Sequence, residues 1–356
     1  MVRSFLVLEN GTVLEGVSFG HVGTVLGEIV FTTSMAGYQE SITDPASKGH
    51  IVVSAFPMVG CYGINERYDM SGAVQAAGLA VHEYCDEPSD MYSGKTLGEY
   101  LKENKVPGIS GLDTRDVVKI IRKEGTMRAA IVFDEKEIDG VKKMLKGGHE
   151  QRNLVGLVSS KEKKMIDNKK GVTVGLIDCG VNRDVIMNLS LKYDIAVFPY
   201  DVSAEDILSA KVGGVVVSHG PGDPGHPDLV KTVDTIKKIS SSLPVAGIGI
   251  GAQMIALAFG GKTVKLKFGH HGSSQPVKEG NRARITTQNH LYSADTASLD
   301  GTDLIADQFN VNDGGLEGFR HGKLPVFGIQ YHPAPVEFEN DSFFYAKLGE
   351  IMAVKK

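Results

Sequence analysis

The stretch PVAGIGIGAQ, residues 244–253, has the make-up of a turn built for chemistry. An apolar run too short for a helix, Leu243 to Ile248, meets a cluster of glycines, and MIALAF then follows at the spacing of a buried helix. Strand, sharp turn, helix is where α/β hydrolytic enzymes mount a nucleophile. The strained backbone lifts one side chain above the sheet edge and points nearby amide N–H groups at the same spot. Here the apex is Gly249, which has no side chain. A second use of such a turn is dinucleotide binding, and Gly247, Gly249 and Ala252 fit G-x-G-x-x-[G/A]. That fingerprint also needs an acid about 20 residues on for the ribose, and the region reads KLKFGHHGSSQPV, with neither Asp nor Glu. The turn also closes the fourth strand of its domain and not the first.

The elements that must position this turn come from strict alternation after Val172. VTVGLID is followed by RDVIMNLSLKY, DIAVFPY by AEDILSA, GGVVVSH by PDLVKTVDTIKKI, and PVAGI by AQMIALAF. Four βα units in series predict an α/β domain with a doubly wound parallel sheet over residues 172–356. Ligands of such sheets bind outside the carboxyl ends of the strands. Three loops then converge on one crevice: Asp178 to Asn182, Ser218 to Gly225, and the turn at Gly249. Shorter β segments (TVKLKF, ARITTQ, DLIADQF, PVFGIQY) and a final helix, DSFFYAKLGEIMAV, complete this half.

Residues 1–150 read as a mixed α/β domain. SFLVLENGTVLEG predicts a hairpin with a two-residue turn at Asn10-Gly11, a dipeptide that accepts positive φ. Strands follow at EIVFTTS, HIVVSAF, AAGLAVHEY and MRAAIVF. Helices are expected at TLGEYLKEN, at TRDVVKIIRKEG with Thr114 as cap and Gly125 as stop, and over residues 135–146. The polar residues 151–171 read as a linker or docking arm whose charge runs are solvated.

At 356 residues the chain should hold two domains. A net charge of −5 argues against nucleic acid, which selects basic patches. No run reaches the ~18 apolar residues of a membrane span, and the opening MVRSFLVLENGT breaks its apolar run too soon for a signal peptide, so a cytoplasmic protein is expected. Three cysteines, Cys61, Cys85 and Cys179, with no C-x-x-C pair, indicate neither a disulfide framework nor a zinc site.

Several long strings, in order, resemble the small, glutaminase-type subunit of carbamoyl phosphate synthetase. GEIVFTTSMAGYQESITDP, PMVGCYGIN and GLDTRDVVKIIRKEG carry the likeness in the first domain. SHGPGDP, KTVKLKFGHHGSSQPV, TTQNH, NVNDGGLEG and GIQYHP carry it in the second. The resemblance implies an N-terminal domain that docks on a large subunit and a C-terminal class I, triad-type glutamine amidotransferase domain. It implies no cofactor in this chain, with ATP and Mg on the large subunit, which joins ammonia to bicarbonate. In the family a cysteine releases that ammonia from glutamine and a tunnel carries it across. The product serves pyrimidine or arginine biosynthesis.

Set against that pattern, the site has lost its chemistry. The reaction needs a thiolate at the elbow, a histidine to manage its proton and a carboxylate to orient the histidine. The family elbow, Gly-Ile-Cys-Leu-Gly-His-Gln, is here Gly247-Ile248-Gly249-Ile250-Gly251-Ala252-Gln253, and the family's His-Pro-Glu is His332-Pro333-Ala334. Base present, nucleophile and carboxylate gone. The glutamine cradle differs too. Ala46 stands where the family has a serine, with Ser47 one position late. Leu291 and Tyr292 follow Asn289-His290 where the family reads Gly-Phe, and His219 replaces the asparagine before Gly-Pro-Gly. Gly220, Gly222 and Gln253 match, so the N–H groups of Gly220 and Ile250 can still form an oxyanion hole.

Other chemistry is weaker on its residues. Cys179 on the crevice rim can be offered as a replacement nucleophile, but it reads better as a small hydrophobe. Glu337 and Glu339 lie beyond the two-residue offset that aims the family's carboxylate. His270-His271, with His226 or His290, sit at no helical i, i+4 spacing, and no metal is expected. SHGPGDPG lacks the Lys-Ser/Thr of a P-loop. The sequence therefore predicts a small subunit without glutaminase activity, serving an ammonia-dependent complex. Two alternatives stay open: a scaffold whose remodelled crevice senses a small metabolite, and a glutaminase with a non-standard nucleophile.

Overall fold

The computed structural model describes residues 2–89, 94–147, 152–333 and 343–353. The chain divides into two compact units, one of Met1–Gln151 with Lys267–Gly272, the other of Arg152–Leu266 with Ser273–Lys356.

The first unit holds β1 (Arg3–Leu8), β2 (Val13–Gly20), β3 (Val25–Thr32), β4 (His50–Ser54), β5 (Met58–Val59), β6 (Gly78–Ala80), β7 (Glu83–Tyr84), β8 (Pro107–Ser110) and β9 (Met127–Val132). Its helices are α1 (Tyr38–Thr43), α2 (Leu97–Glu103), α3 (Thr114–Glu124) and α4 (Ile138–Lys146). Seven strands close into a barrel in the order β1-β2-β8-β6-β4-β3-β9, because β9 pairs with both β3 and β1. Leu6, Leu8, Ile29, Ile51, Val53, Ile109 and Ile131 fill it. Closure was not visible in the sequence, since β3, β4, β6 and β8 pair in parallel across long connections.

Two local expectations are corrected. The first hairpin turns through three residues, not two. Leu8 N–H bonds Thr12 O and Gly11 alone takes a positive φ, of 94°, as in a turn that ends in a left-handed glycine. The cap of α3 is Asp113, whose carboxylate accepts the Asp116 N–H, while Thr114 lies inside the first turn. A carboxylate also suits the positive end of the helix dipole. Asp113→Ala is expected to cost ~1 kcal/mol in urea unfolding.

The second unit holds β10 (Lys164–Ile166), β11 (Thr173–Asp178), β12 (Asp194–Pro199), β13 (Gly214–Val217), β14 (Val245–Ile248), β15 (Thr263–Glu279), β16 (Arg282–Ala294), β17 (Leu304–Asn310), β18 (Leu316–His321) and β19 (Val326–Ile329). Between them run α5 (Val155–Val158), α6 (Arg183–Ser190), α7 (Ala204–Ser209), α8 (Val230–Ser240), α9 (Ile250–Ala258) and α10 (Phe343–Ala353). One sheet runs β10-β12-β11-β13-β14-β19-β18-β17-β15-β16, and its β12-β11-β13-β14-β19 core is parallel. Apolar clusters cover both faces of that core, Ile177, Val215, Val217 and Ile255 on one, Leu176, Val216, Ile248 and Phe344 on the other. This is the doubly wound α/β sheet that the alternation predicts, with β19 as a fifth parallel strand. β18 escaped the sequence reading because LEGFRH carries three charged or titratable residues.

Residues read as a linker are not all solvated arm. β10 pairs antiparallel with β12 at the sheet edge, because Met165 and Ile166 continue the strand pattern beside Ile195 and Ala196. The Asp194 carboxylate gathers the turn after it, accepting N–H from Asn168, Lys170 and Gly171 at 2.8–3.0 Å. These backbone donors, Lys170's first, hold its carboxyl below the usual range. A depressed folded value means stability that is present above the unfolded pKa of ~3.9 and lost as pH falls through the folded one. Asp194→Asn is therefore expected to lower the urea midpoint at pH 7, with the gap to wild type closing toward pH 3. Among the described residues no helix is long and apolar enough to cross a membrane.

Candidate active site at the carboxyl ends of the parallel strands

The loops after β11, β13, β14 and β19 all leave the carboxyl edge of the parallel core, the general ligand position of such sheets. Gly249 joins β14 to α9 at φ 54°, ψ −118°, a conformation L residues rarely adopt. It is pinned on both sides: its N–H bonds Ile329 O at 2.8 Å and its carbonyl accepts the Gln253 N–H at 3.1 Å. The elbow is fully formed around a residue that has no nucleophile.

Glycines explain how the helix comes so close. A Cβ on Gly251 would lie 2.2 Å from Val217 O, and one on Gly220 would lie 1.9 Å from Cys179 O. Both neighbours are backbone atoms that cannot swing aside. Gly222 takes φ 89° in the loop after β13. A Cβ on Gly249 itself would meet His219 Cβ at 3.1 Å.

His219 is buried, and its ring stands edge-on to that of His332 with centroids 4.6 Å apart. His332 is placed by its backbone, whose N–H bonds Thr287 O at 2.9 Å. Its ring meets a residue the sequence reading put on the crevice rim without a role, Asn182. The Asn182 Oδ1 caps α6 by accepting the Val185 N–H, which leaves its NH₂ 3.3 Å from His332 Nδ1. An amide donor there makes Nδ1 the acceptor and puts the proton on Nε2. A triad carboxylate does the reverse, taking the Nδ1 proton and stabilising imidazolium. Asn182 thus offers the surviving histidine an amide where the triad offers a carboxylate. Asn182→Asp keeps the cap and replaces donor by acceptor. It is expected to move the proton to Nδ1, which imidazole ¹⁵N shifts would report. The only signal in the sequence was a cap-type residue ahead of a helix.

Cys179 fails as a substitute nucleophile. It is fully buried, its N–H is held by Ser218 Oγ, and burial with Asp178 close by pushes its thiol well above the usual range. Gln253 points inward: its Nε2 donates to Tyr292 O at 2.6 Å and to Gln330 Oε1 at 2.9 Å. The site's amide matching the family is therefore engaged with the protein itself. Leu291 is buried and Asn289 half-buried on β16. Ile250 opens α9 and is buried. Ala46 belongs to the first unit, where its N–H bonds Asp44 Oδ1 and Ser47 Oγ donates to Ser41 O. His270 and His271 are buried in that unit too, His271 edge-on to His50. His226 Nδ1 accepts the Asp228 N–H. Ala334, Glu337 and Glu339 lie outside the described residues.

Known proteins bear on this geometry. Residues 6–131 match the family described as carbamoyl-phosphate synthase small chain, CPSase domain, and residues 165–347 match glutamine amidotransferase class-I. The carbamoyl phosphate synthase small chain of Archaeoglobus fulgidus is 41% identical over 352 residues, covering 97% of each chain. That of Clostridium perfringens is 40% identical over 344 residues, 96% of this chain and 97% of the other. The pyrimidine-specific small chain of Bacillus subtilis is 39% identical over 331 residues, 92% and 90% of the two. Matched by both family models and about 40% identical to these relatives over nearly the whole of each chain, the chain belongs to the carbamoyl phosphate synthase small-chain family.

Proposed function

We propose that this chain is a small subunit that hydrolyses no glutamine and serves an ammonia-dependent carbamoyl phosphate synthetase. It docks on a large chain that uses ATP and Mg, and its own role is to organise that partner. The product feeds pyrimidine or arginine synthesis. One observation carries the reading: Gly249 occupies the apex of an otherwise complete elbow. The donor that Asn182 turns toward His332 supports it, since a thiolate placed there would still lack a correctly oriented base.

A glutamine-mimicking electrophile tests the site directly. No covalent adduct is expected on Cys179, the cysteine of the crevice. A stoichiometric adduct on Cys179 would overturn the reading and favour a glutaminase with a displaced nucleophile.

One feature favours a second role, metabolite sensing in the remodelled crevice. Gln330 is buried beside Gln253, and among the described residues its Nε2 has no acceptor, a group that native structures normally satisfy. Calorimetric titration with glutamine, glutamate and other small carboxylates separates the two, because the first predicts no saturable heat and the second one specific ligand.

A further inference from the structure

Two of the three cysteines, 24 positions apart with no motif to join them, meet in the first unit. β5 and β7 pair in parallel with Val59 opposite Tyr84, and both strands end there. Gly60 then turns at φ 101°, which carries Cys61 round toward the end of β7. Two backbone hydrogen bonds clamp the segments on either side of the pair: Cys85 N–H to Val59 O at 2.9 Å and Ser89 N–H to Cys61 O at 2.8 Å. Such ties keep the two cysteine-bearing segments side by side, the first condition for a disulfide. The two thiols are close enough to interact, while Cys85 Sγ also donates to Glu87 O at 3.3 Å. Both are partly exposed, unlike Cys179.

We propose that Cys61 and Cys85 form a reversible dithiol–disulfide couple, a modification site whose reactant is a low-molecular-weight disulfide. The Cys85 thiolate attacks one sulfur of that disulfide, its S–S bond breaks, and the departing thiolate takes up the proton Cys85 has given up. The Cys61 thiolate then attacks Cys85 Sγ in the mixed disulfide and expels the second small thiol, which takes Cys61's proton. Two protein thiols are oxidised, one small disulfide is reduced to two thiols, and no other reactant is needed. In this order Cys61 is the resolving group.

The couple is wired to the rest of the unit. Tyr62, next to Cys61, stacks on Tyr38 with centroids 4.3 Å apart and accepts the Gly37 N–H, while the Tyr38 hydroxyl donates to Gly63 O. Met58 and Val59, on the same segment, line a small open cavity beside Met35, Ala36 and Tyr38. Closing the bond ties one wall of that cavity to β7.

The test equilibrates the native chain in glutathione/glutathione-disulfide mixtures, quenches with acid, and counts and maps thiols. Two of the three thiols are expected to vanish together, giving one peptide cross-linked through Cys61 and Cys85, with Cys179 still reduced. Cys61→Ser is expected to stop the reaction at a stable glutathione adduct on Cys85, and the wild-type melting temperature is expected to rise on oxidation. Independent glutathione adducts on both cysteines of the wild type would overturn the proposal. So would two thiols that stay reduced in the most oxidising mixture.

Discussion

Gly249→Cys is expected to melt ~2–12 °C below wild type and to hydrolyse no detectable glutamine. At φ 54°, ψ −118° a residue with a Cβ carries backbone strain of ~1–3 kcal/mol, which glycine escapes. In a unit of this size each kcal/mol moves the melting temperature by about 2–4 °C. The new Cβ would also stand 3.1 Å from His219 Cβ and 3.5 Å from its Cα. Those atoms remain in any non-glycine residue, so adding His219→Asn is expected to leave the thermal loss unchanged. Chemistry does not return because Asn182 still donates to His332 and Ala334 still offers no carboxylate. Triad enzymes stripped of their triad keep only about 10³- to 10⁴-fold over water, and with Gln253 bound to Tyr292 and Gln330 the cradle adds little. A glutaminase restored by this one change would sink the account of the site.

Gly251→Ala should be worse for the fold than any change at the catalytic positions. Its Cβ would lie 2.2 Å from Val217 O, 2.7 Å from Val217 C and 2.8 Å from Ser218 O. All three are backbone atoms at the end of β13, so α9 would have to lift off the sheet that its buried residues Met254 and Ile255 cover. A loss of ~4 kcal/mol or more, near the limit for one substitution, is expected in chemical unfolding. Gly140→Ala provides the contrast: in α4, with open space around the new methyl, it should stabilise by ~0.5–1 kcal/mol. Equal stability for Gly251→Ala and wild type would mean that helix and strand are not in this close contact.

The parts legible in the sequence are those with a local period. Alternation of β and α after Val172 yields the parallel core, its crevice edge and the elbow, because each strand buries both faces and reads as an apolar run. The barrel was hidden, since pairing β9 with both β1 and β3 leaves no trace in either strand's own pattern. Gly11 and Asp113 show the limit at turns and caps: the residue types announced a turn and a helix start, and one residue of offset decided which atoms bond. At the site, the elbow and the side-chain-free residue at its apex, Gly249, could be read in the sequence. The amide that Asn182 sets beside His332, and the meeting of Cys61 with Cys85, required positions in space.

The most direct measurement is carbamoyl phosphate synthesis by this chain with its cognate large chain, ATP and bicarbonate, comparing glutamine with ammonium as nitrogen donor. Activity with ammonium alone, raised by adding this chain, is the predicted result. Glutamine-dependent synthesis would contradict it, and would mean that a residue other than Gly249 supplies the nucleophile.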